Sequence, residues 1–285
     1  GMAVPLLLIF GATMGCIDVV VNIQAVIVEK AAGRRLMSGM HALWSVGGFA
    51  GAGLFGIWVG TFSLTPLLST IIAAAIMVLV TLAASRHLLP YGGDAGGKLL
   101  ALPKGIVTFV GIIACIAFLV EGAIMDWSGV FLTTVRHFDM SLAGTAFTVF
   151  SAAMLTMRLF GDWTVQKLGQ ERVVIGGSLL AVAGFLLVIF AAEPALLYLG
   201  FFAIGIGCAN VVPVFFSLLG KQRVMPISLA VPAVSTLGYL GILMGPAVIG
   251  FIAHQTSLYT AFGLLAFLVL LQSVIAAYVY RHIID

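Results

Sequence analysis

Three carboxylates interrupt long apolar runs in this chain: Asp18 in FGATMGCIDVVVNIQAVIVEKAAGRR, and Glu121 and Asp126 in AFLVEGAIMDWSGVFL. A charge at the centre of a bilayer costs on the order of 3 kcal/mol, so such residues usually face a cavity or a partner. A low-dielectric setting favours the neutral acid, which lets a carboxyl take up and release a proton as water reaches it from either side. Asp18 has no basic residue near it until Lys30. It needs none if its resting form is the neutral acid or if a bound solute satisfies it. Proton exchange is the chemistry Asp18 and Glu121 could perform; the plainer alternative is a hydrogen-bonded structural acid.

Asn22 stands one helical turn beyond Asp18 on the same face. It could bond Asp18 or a solute hydroxyl, or serve as contact between helices. Asp126 and Trp127 fall closer to the outer interface, where Trp is a common anchor and Asp could cap or hydrate a broken helix; a place on a cavity wall is the alternative. His41, near the start of its helix, is either a neutral interfacial histidine or a pH-responsive cavity group. Cys16, Cys115 and Cys208 all lie in apolar spans, with neither a disulfide framework nor metal-ligand spacing. There is no HExxH, GxSxG, phosphate loop or Cys/His ligand pair, so no enzyme, metal or cofactor is expected.

The elements that must position these groups follow from composition. Of 285 residues, 62% are hydrophobic and 8% charged, with 34 glycines, and the mean hydropathy is +1.23. A soluble domain of this length needs a far more charged surface. About 20 residues of helix cross a ~30 Å hydrocarbon core, and runs such as IIAAAIMVLVTLAA are too continuous for the alternating strands of a barrel. The sequence predicts an all-α membrane protein with nine spans, at 3–27, 39–62, 64–85, 104–131, 141–163, 173–192, 195–219, 226–253 and 257–281. The first is no secretory signal, since it lacks a positive leading region and carries Asp18. The stretch HLLPYGGDAGGKLLALPK at 87–104 is the one extended polar connection, and a linker at 86–103 divides the chain into 1–85 and 104–285.

Charge placement orients these spans. With loops assigned to alternate sides, Arg136 alone among the 13 Lys and Arg falls opposite the rest, which makes the other side, with the C-terminus, cytoplasmic. Arg158, near the end of the span 141–163, counts with the loop that follows it. No Lys or Arg is therefore expected in mid-membrane. The net charge of +3 is a matter of topology and no sign of nucleic-acid binding, since no basic patch with interleaved aromatics occurs.

A weak internal repeat adds organisation. GCIDVV at 15–20 matches GCANVV at 207–212, and Gly47, Gly51 and Gly56 match Gly241, Gly245 and Gly250 at nearly the same offset. Chance similarity of glycine-rich helices is the alternative. Two successive helices in the same order and orientation suggest a parallel repeat of about six helices, as in the halves of a transporter. Asn210 is then the partner of Asp18. The repeat also leads to the expectation that three spans preceding residue 1 are missing, so that nine of twelve helices are present. Pro213, Pro232 and Pro246 should mark kinks.

Six plus six helices, a central cytoplasmic linker and parallel halves resemble the major facilitator superfamily, with this chain starting at the fourth helix. IDVVVN at 17–22 resembles that helix in fucose-permease-like bacterial sugar/proton symporters, and RRLMSGMHALWSVGG and EGAIMDWSGVFL resemble the same branch. QKLGQER at 166–172 is similar to the superfamily's cytoplasmic loop signature at Lys167, Gly169 and Arg172, although Gln166 stands where an Asp is expected. The resemblance implies a bacterial inner-membrane carrier working by alternating access. It implies proton coupling through Asp18 and Glu121, a cavity lined by Asn22, Asn210, Asp126, Trp127 and His41, and a gating loop at Lys167, Gly169 and Arg172. The expected partners are a small-molecule solute, protons and the lipid bilayer, with the chain a monomer and no nucleic acid bound. An interior of acids alone favours a neutral, sugar-like or cationic solute; drug or metabolite efflux and solute sensing are the rival functions.

Overall fold

The computed structural model describes residues 3–90 and 102–284. Most of the connection 86–103 lies outside the described residues. Eleven α-helices account for nine helical spans among the described residues. They are α1 (Ala3–Ala32), α2 (Met37–Gly60), α3 (Pro66–Ser85), α4 (Ile106–Val130), α5 (Thr145–Leu159), α6 (Gly161–Leu168), α7 (Gln170–Phe190), α8 (Pro194–Cys208), α9 (Val211–Leu219), α10 (Ile227–Gln255) and α11 (Leu258–Val279). A π turn at Phe131–Val135 extends α4.

Two expected spans are each broken in two. The span read as 141–163 is interrupted at Phe160 between α5 and α6, and that read as 195–219 at Ala209–Asn210 between α8 and α9. Pro213 accounts for the second break. It has no N–H to give the carbonyl four residues earlier, that of Ala209. Gly161 accounts for how the breaks fit together, since a side chain there would collide with Asn210 and Ser38. Pro232 and Pro246 lie inside α10.

Helices α4 and α10 share the most extensive helix–helix contact among the described residues. The glycine ladder makes this contact possible: a side chain on Gly241 or Gly245 would run into the Cys115 and Leu119 carbonyls, and one on Gly250 into Trp127. The matching ladder on α2 behaves differently. A Cβ at Gly47, Gly51 or Gly56 would meet nothing within 4 Å among the described residues.

Two apolar cores stack along the bundle. One takes Ile106–Ala117 of α4 with Val165, Val174, Phe215, Phe216 and, from α1 and α2, Ala25, Val26 and Met37. The other takes Ile116–Leu132 of α4 with Phe150, Phe185, Phe201 and Phe262. The first lies toward the end bearing Lys30, Lys167 and Lys221, here called the basic end; the second lies toward Arg136. Helices α1 and α2 contribute buried residues only to the first, so they join the rest of the bundle tightly at the basic end.

Arg136, expected only as a topological marker, also holds structure together. Its Nη2 donates to the carbonyls of Val188 (2.7 Å) and Ile189 (2.8 Å) at the C-terminal end of α7, where a cation also complements the helix dipole. Its guanidinium sits over the Phe131 and Tyr259 rings. Arg136→Ala is expected to lower stability by about 2 kcal/mol, because the substitution removes both the charged hydrogen bonds and the cation over the two rings. A thermal unfolding midpoint equal to that of the unsubstituted protein would contradict this. Close by, Asp139 accepts from the Ser141 backbone N–H at 2.8 Å, and its bonds to Ser141 hold its carboxyl below the ordinary aspartate range.

Candidate functional site

At the level where the two cores meet, polar side chains gather from both parts of the chain. α1 brings Asp18 and Asn22, α2 brings His41, α4 brings Glu121, α5 brings Arg158 and α10 brings Tyr239; with Trp44, Phe118, Phe216 and Ile242 they line a chamber of about 160 Å³. A second cavity of about 400 Å³ adjoins it on the Arg136 side, walled by Trp44, Phe49, Met125, Phe147, Phe150 and Met154. Trp44, Glu121, Arg158 and Ile242 line both. A small polar chamber thus opens past a charged pair into a larger apolar one.

The charged pair corrects the reading of an acid-only interior. Arg158 is no loop residue: it is 6% exposed, and its Nη2 lies 3.2 Å from Glu121 Oε1. Its Nε donates to the Ala209 carbonyl at 3.1 Å, the group that Pro213 leaves without a helical donor. Nη1 reaches toward Ser45 Oγ at 3.4 Å. The helix break between α8 and α9 therefore supplies an acceptor for a guanidinium, and the guanidinium supplies the missing donor for the break. Burying a charge of either sign is tolerable when it is both paired and hydrogen-bonded.

The remaining predicted residues fall in different places. Asp18 lines the polar chamber, with Tyr239 opposite on α10. Asn22 lines it too, and its Nδ2 donates to the Asp18 backbone carbonyl at 3.0 Å. His41 also lines the chamber, with Nδ1 3.0 Å from the Met37 carbonyl and its ring 5.8 Å from that of Phe216. Asn210 lines neither cavity. It is 3% exposed at the α8–α9 break beside Gly161, and its amide oxygen and nitrogen have no partner among the described residues. Asp126 is exposed, and Trp127 Nε1 is committed to the Pro246 carbonyl at 3.1 Å; neither borders the chambers.

At the basic end, Lys167 lies 4.5 Å from the Trp163 ring centre. Gly169, at φ +84° and ψ 155° between α6 and α7, occupies backbone territory open essentially to glycine alone. Arg172 is exposed on the first turns of α7. The carboxylate absent at Gln166 is supplied one turn earlier by Asp162, a residue the sequence did not single out. Asp162 Oδ1 and Oδ2 accept from the backbone N–H groups of Ser38 (3.0 Å) and Gly39 (2.8 Å) on α2. Glu29 Oε2 accepts from those of Leu36 and Met37, both at 2.8 Å. The four N–H groups that an α-helix leaves unbonded at its start are thus all taken by two carboxylates, which also suit the positive end of the helix dipole. One carboxylate belongs to α1 and the other to α6, so Asp162 ties the two parts of the chain together.

Comparison with known proteins agrees with this architecture. The model of the Major Facilitator Superfamily matches residues 110–283. An uncharacterised MFS-type transporter of Yersinia pestis is 47% identical over 93% of this chain and 69% of its own length. An uncharacterised transporter of Sinorhizobium fredii is 34% identical over 95% of this chain and 72% of its own length. Among solved structures, the human organic anion transporter MFSD10 (TETRAN) superposes with a TM-score of 0.63 at 20% identity, covering 84% of this chain and 62% of that one, a likeness of fold. With two bacterial transporters among its relatives, the chain belongs to the Major Facilitator Superfamily.

Proposed function

We propose that the protein is a proton-coupled secondary transporter that moves a small solute by alternating access, its two lobes, 1–85 and 104–285, rocking about the paired chambers. Because the chain spans 69% of the Yersinia relative's length, the activity is proposed for a carrier of that full length. The observation that carries the reading is the placement of Asp18 and the Glu121–Arg158 pair on adjoining cavities between the two lobes, sealed at the basic end by Asp162. The basic end is then cytoplasmic, in the inner membrane of a bacterium, by the distribution of Lys and Arg. Kinship with fucose-permease-like symporters rests on the resemblance of IDVVVN, RRLMSGMHALWSVGG and EGAIMDWSGVFL alone. A neutral or cationic solute was favoured by an interior without a cation, and Arg158 removes that ground.

Asp18 is the residue on which proton coupling is tested. In proteoliposomes carrying a solute found by screening, Asp18→Asn is expected to cut accumulation driven by a pH gradient about tenfold or more, since a proton-carrying group is lost. Solute exchange without a gradient should persist. Undiminished gradient-driven accumulation in Asp18→Asn would exclude coupling through this residue. A second reading, efflux of drugs or metabolites, is favoured by the aromatic and methionine walls of the larger chamber; resistance gained on overexpression distinguishes it.

A further inference from the structure

The larger chamber joins two chemistries that select one kind of molecule. Its walls are apolar, and at its inner end stands Arg158, the one buried Lys or Arg among the described residues. A guanidinium is a planar fork that binds a carboxylate or similar oxyanion through two parallel hydrogen bonds. In this structure its Nη2 meets a single Glu121 oxygen at 3.2 Å, while its Nη1 contact to Ser45 is a long 3.4 Å. Glu121 is the group occupying the anion position, and it is itself 20% exposed at the side chain. Building on the transporter reading, we propose that the solute is an amphipathic organic anion whose acidic head takes the place of Glu121 on Arg158 while its apolar body lies against Trp44, Phe49, Phe147 and Phe150.

The displaced Glu121 takes up one proton, so one anion and one proton enter together. The chamber holds an Arg⁺–Glu⁻ pair before and an Arg⁺–anion pair with a neutral Glu after, and its net charge does not change. Neither Arg158 nor Glu121 carries an unpaired charge at either stage, which is the condition a buried site must meet. Other groups near Glu121 are Cys208 of α8 and, across the small chamber, Asp18 and Asn22 of α1, His41 of α2 and Tyr239 of α10. Arg158 is the fixed cation among them and His41 the one imidazole. A cationic solute would meet Arg158 head-on, and a neutral one would give Glu121 nothing with which to be exchanged.

The test uses the reconstituted protein and three probes of one shape: phenylacetate, its neutral amide phenylacetamide, and the cation phenethylamine. Phenylacetate is expected to bind about tenfold or more tighter than either, as a charged pair in an apolar site demands, and tighter at acid than at neutral pH. Glu121→Gln should raise its affinity at neutral pH and flatten the pH dependence; Arg158→Gln should abolish the preference for the anion. The Glu121→Gln arm keeps the test decisive should Arg158→Gln fold poorly. Equal or weaker binding of phenylacetate, no binding of it at all, or a pH dependence unchanged in Glu121→Gln would overturn the proposal. Gradient-driven accumulation of the amide or the amine would do so while leaving the transporter reading intact. Loss of gradient-driven flux for every screened solute would bring down that reading instead.

Discussion

Arg158→Gln is expected to abolish transport and to cost roughly 3 kcal/mol of stability, because it leaves a largely enclosed carboxylate without its counter-charge. It also strands the Ala209 carbonyl, which Pro213 cannot serve and which no other donor reaches among the described residues. Glu121→Gln should be milder, at about 1–2 kcal/mol, since the guanidinium keeps the Ala209 carbonyl and Ser45 as acceptors and can still bond a neutral amide oxygen. The double substitution should cost less than the two single costs added together, because each single variant strands a partner that the other removes. Chemical denaturation in detergent measures all three. Simple additivity, or an Arg158→Gln variant as stable as the unsubstituted protein, would show that the pair does not hold α4, α5 and the α8–α9 break together.

Asp162→Ala is expected to open the basic end. The carboxylate bonds two backbone N–H groups of α2 from the opposite lobe, and no other side chain reaches those donors among the described residues. Two charge-assisted bonds in a half-buried setting amount to about 2 kcal/mol, which is roughly a thirtyfold change in the ratio of closed to open forms. Spin labels on cysteines replacing Lys30 and Lys221, both exposed on facing sides of that end, report it by electron–electron distance measurement. The distribution should gain a longer component in Asp162→Ala. Asp162→Asn, which keeps an oxygen acceptor but no charge, should fall between. An unaltered distribution would mean that the contact follows closure rather than favouring it.

The helices and the two central acids were legible because a lipid-facing span leaves a long apolar run, and any acid inside it stands out. Arg158 did not stand out. It lies near the charged end of its span, where counting loop charges assigns it to the aqueous side. Its burial depends on partners 37, 51 and 113 residues away. One local signal was present: Pro213 announced a carbonyl at Ala209 that would need another donor, although nothing in the chain named that donor. Asp162 was hidden for a similar reason, its bonds spanning 123 and 124 residues. The repeat matched Asn210 with Asp18, but α8 breaks at that level and turns the amide into a buried corner beside Gly161. The family resemblance placed Asp126 and Trp127 on the cavity wall with Glu121. On a helix, residues five and six positions on point elsewhere, and Trp127 faces α10 instead.

Reciprocal movement of the two ends is the central claim, and paired distance measurements test it most directly. One label pair replaces Lys30 and Lys221 at the basic end; the other replaces Thr61 and Met140, exposed at the Arg136 end. On acidification with a transported solute, the Lys30–Lys221 distance should lengthen in the same population in which the Thr61–Met140 distance shortens. Two ends that stay fixed, or that open and close together, would contradict alternating access about Asp18 and the Glu121–Arg158 pair.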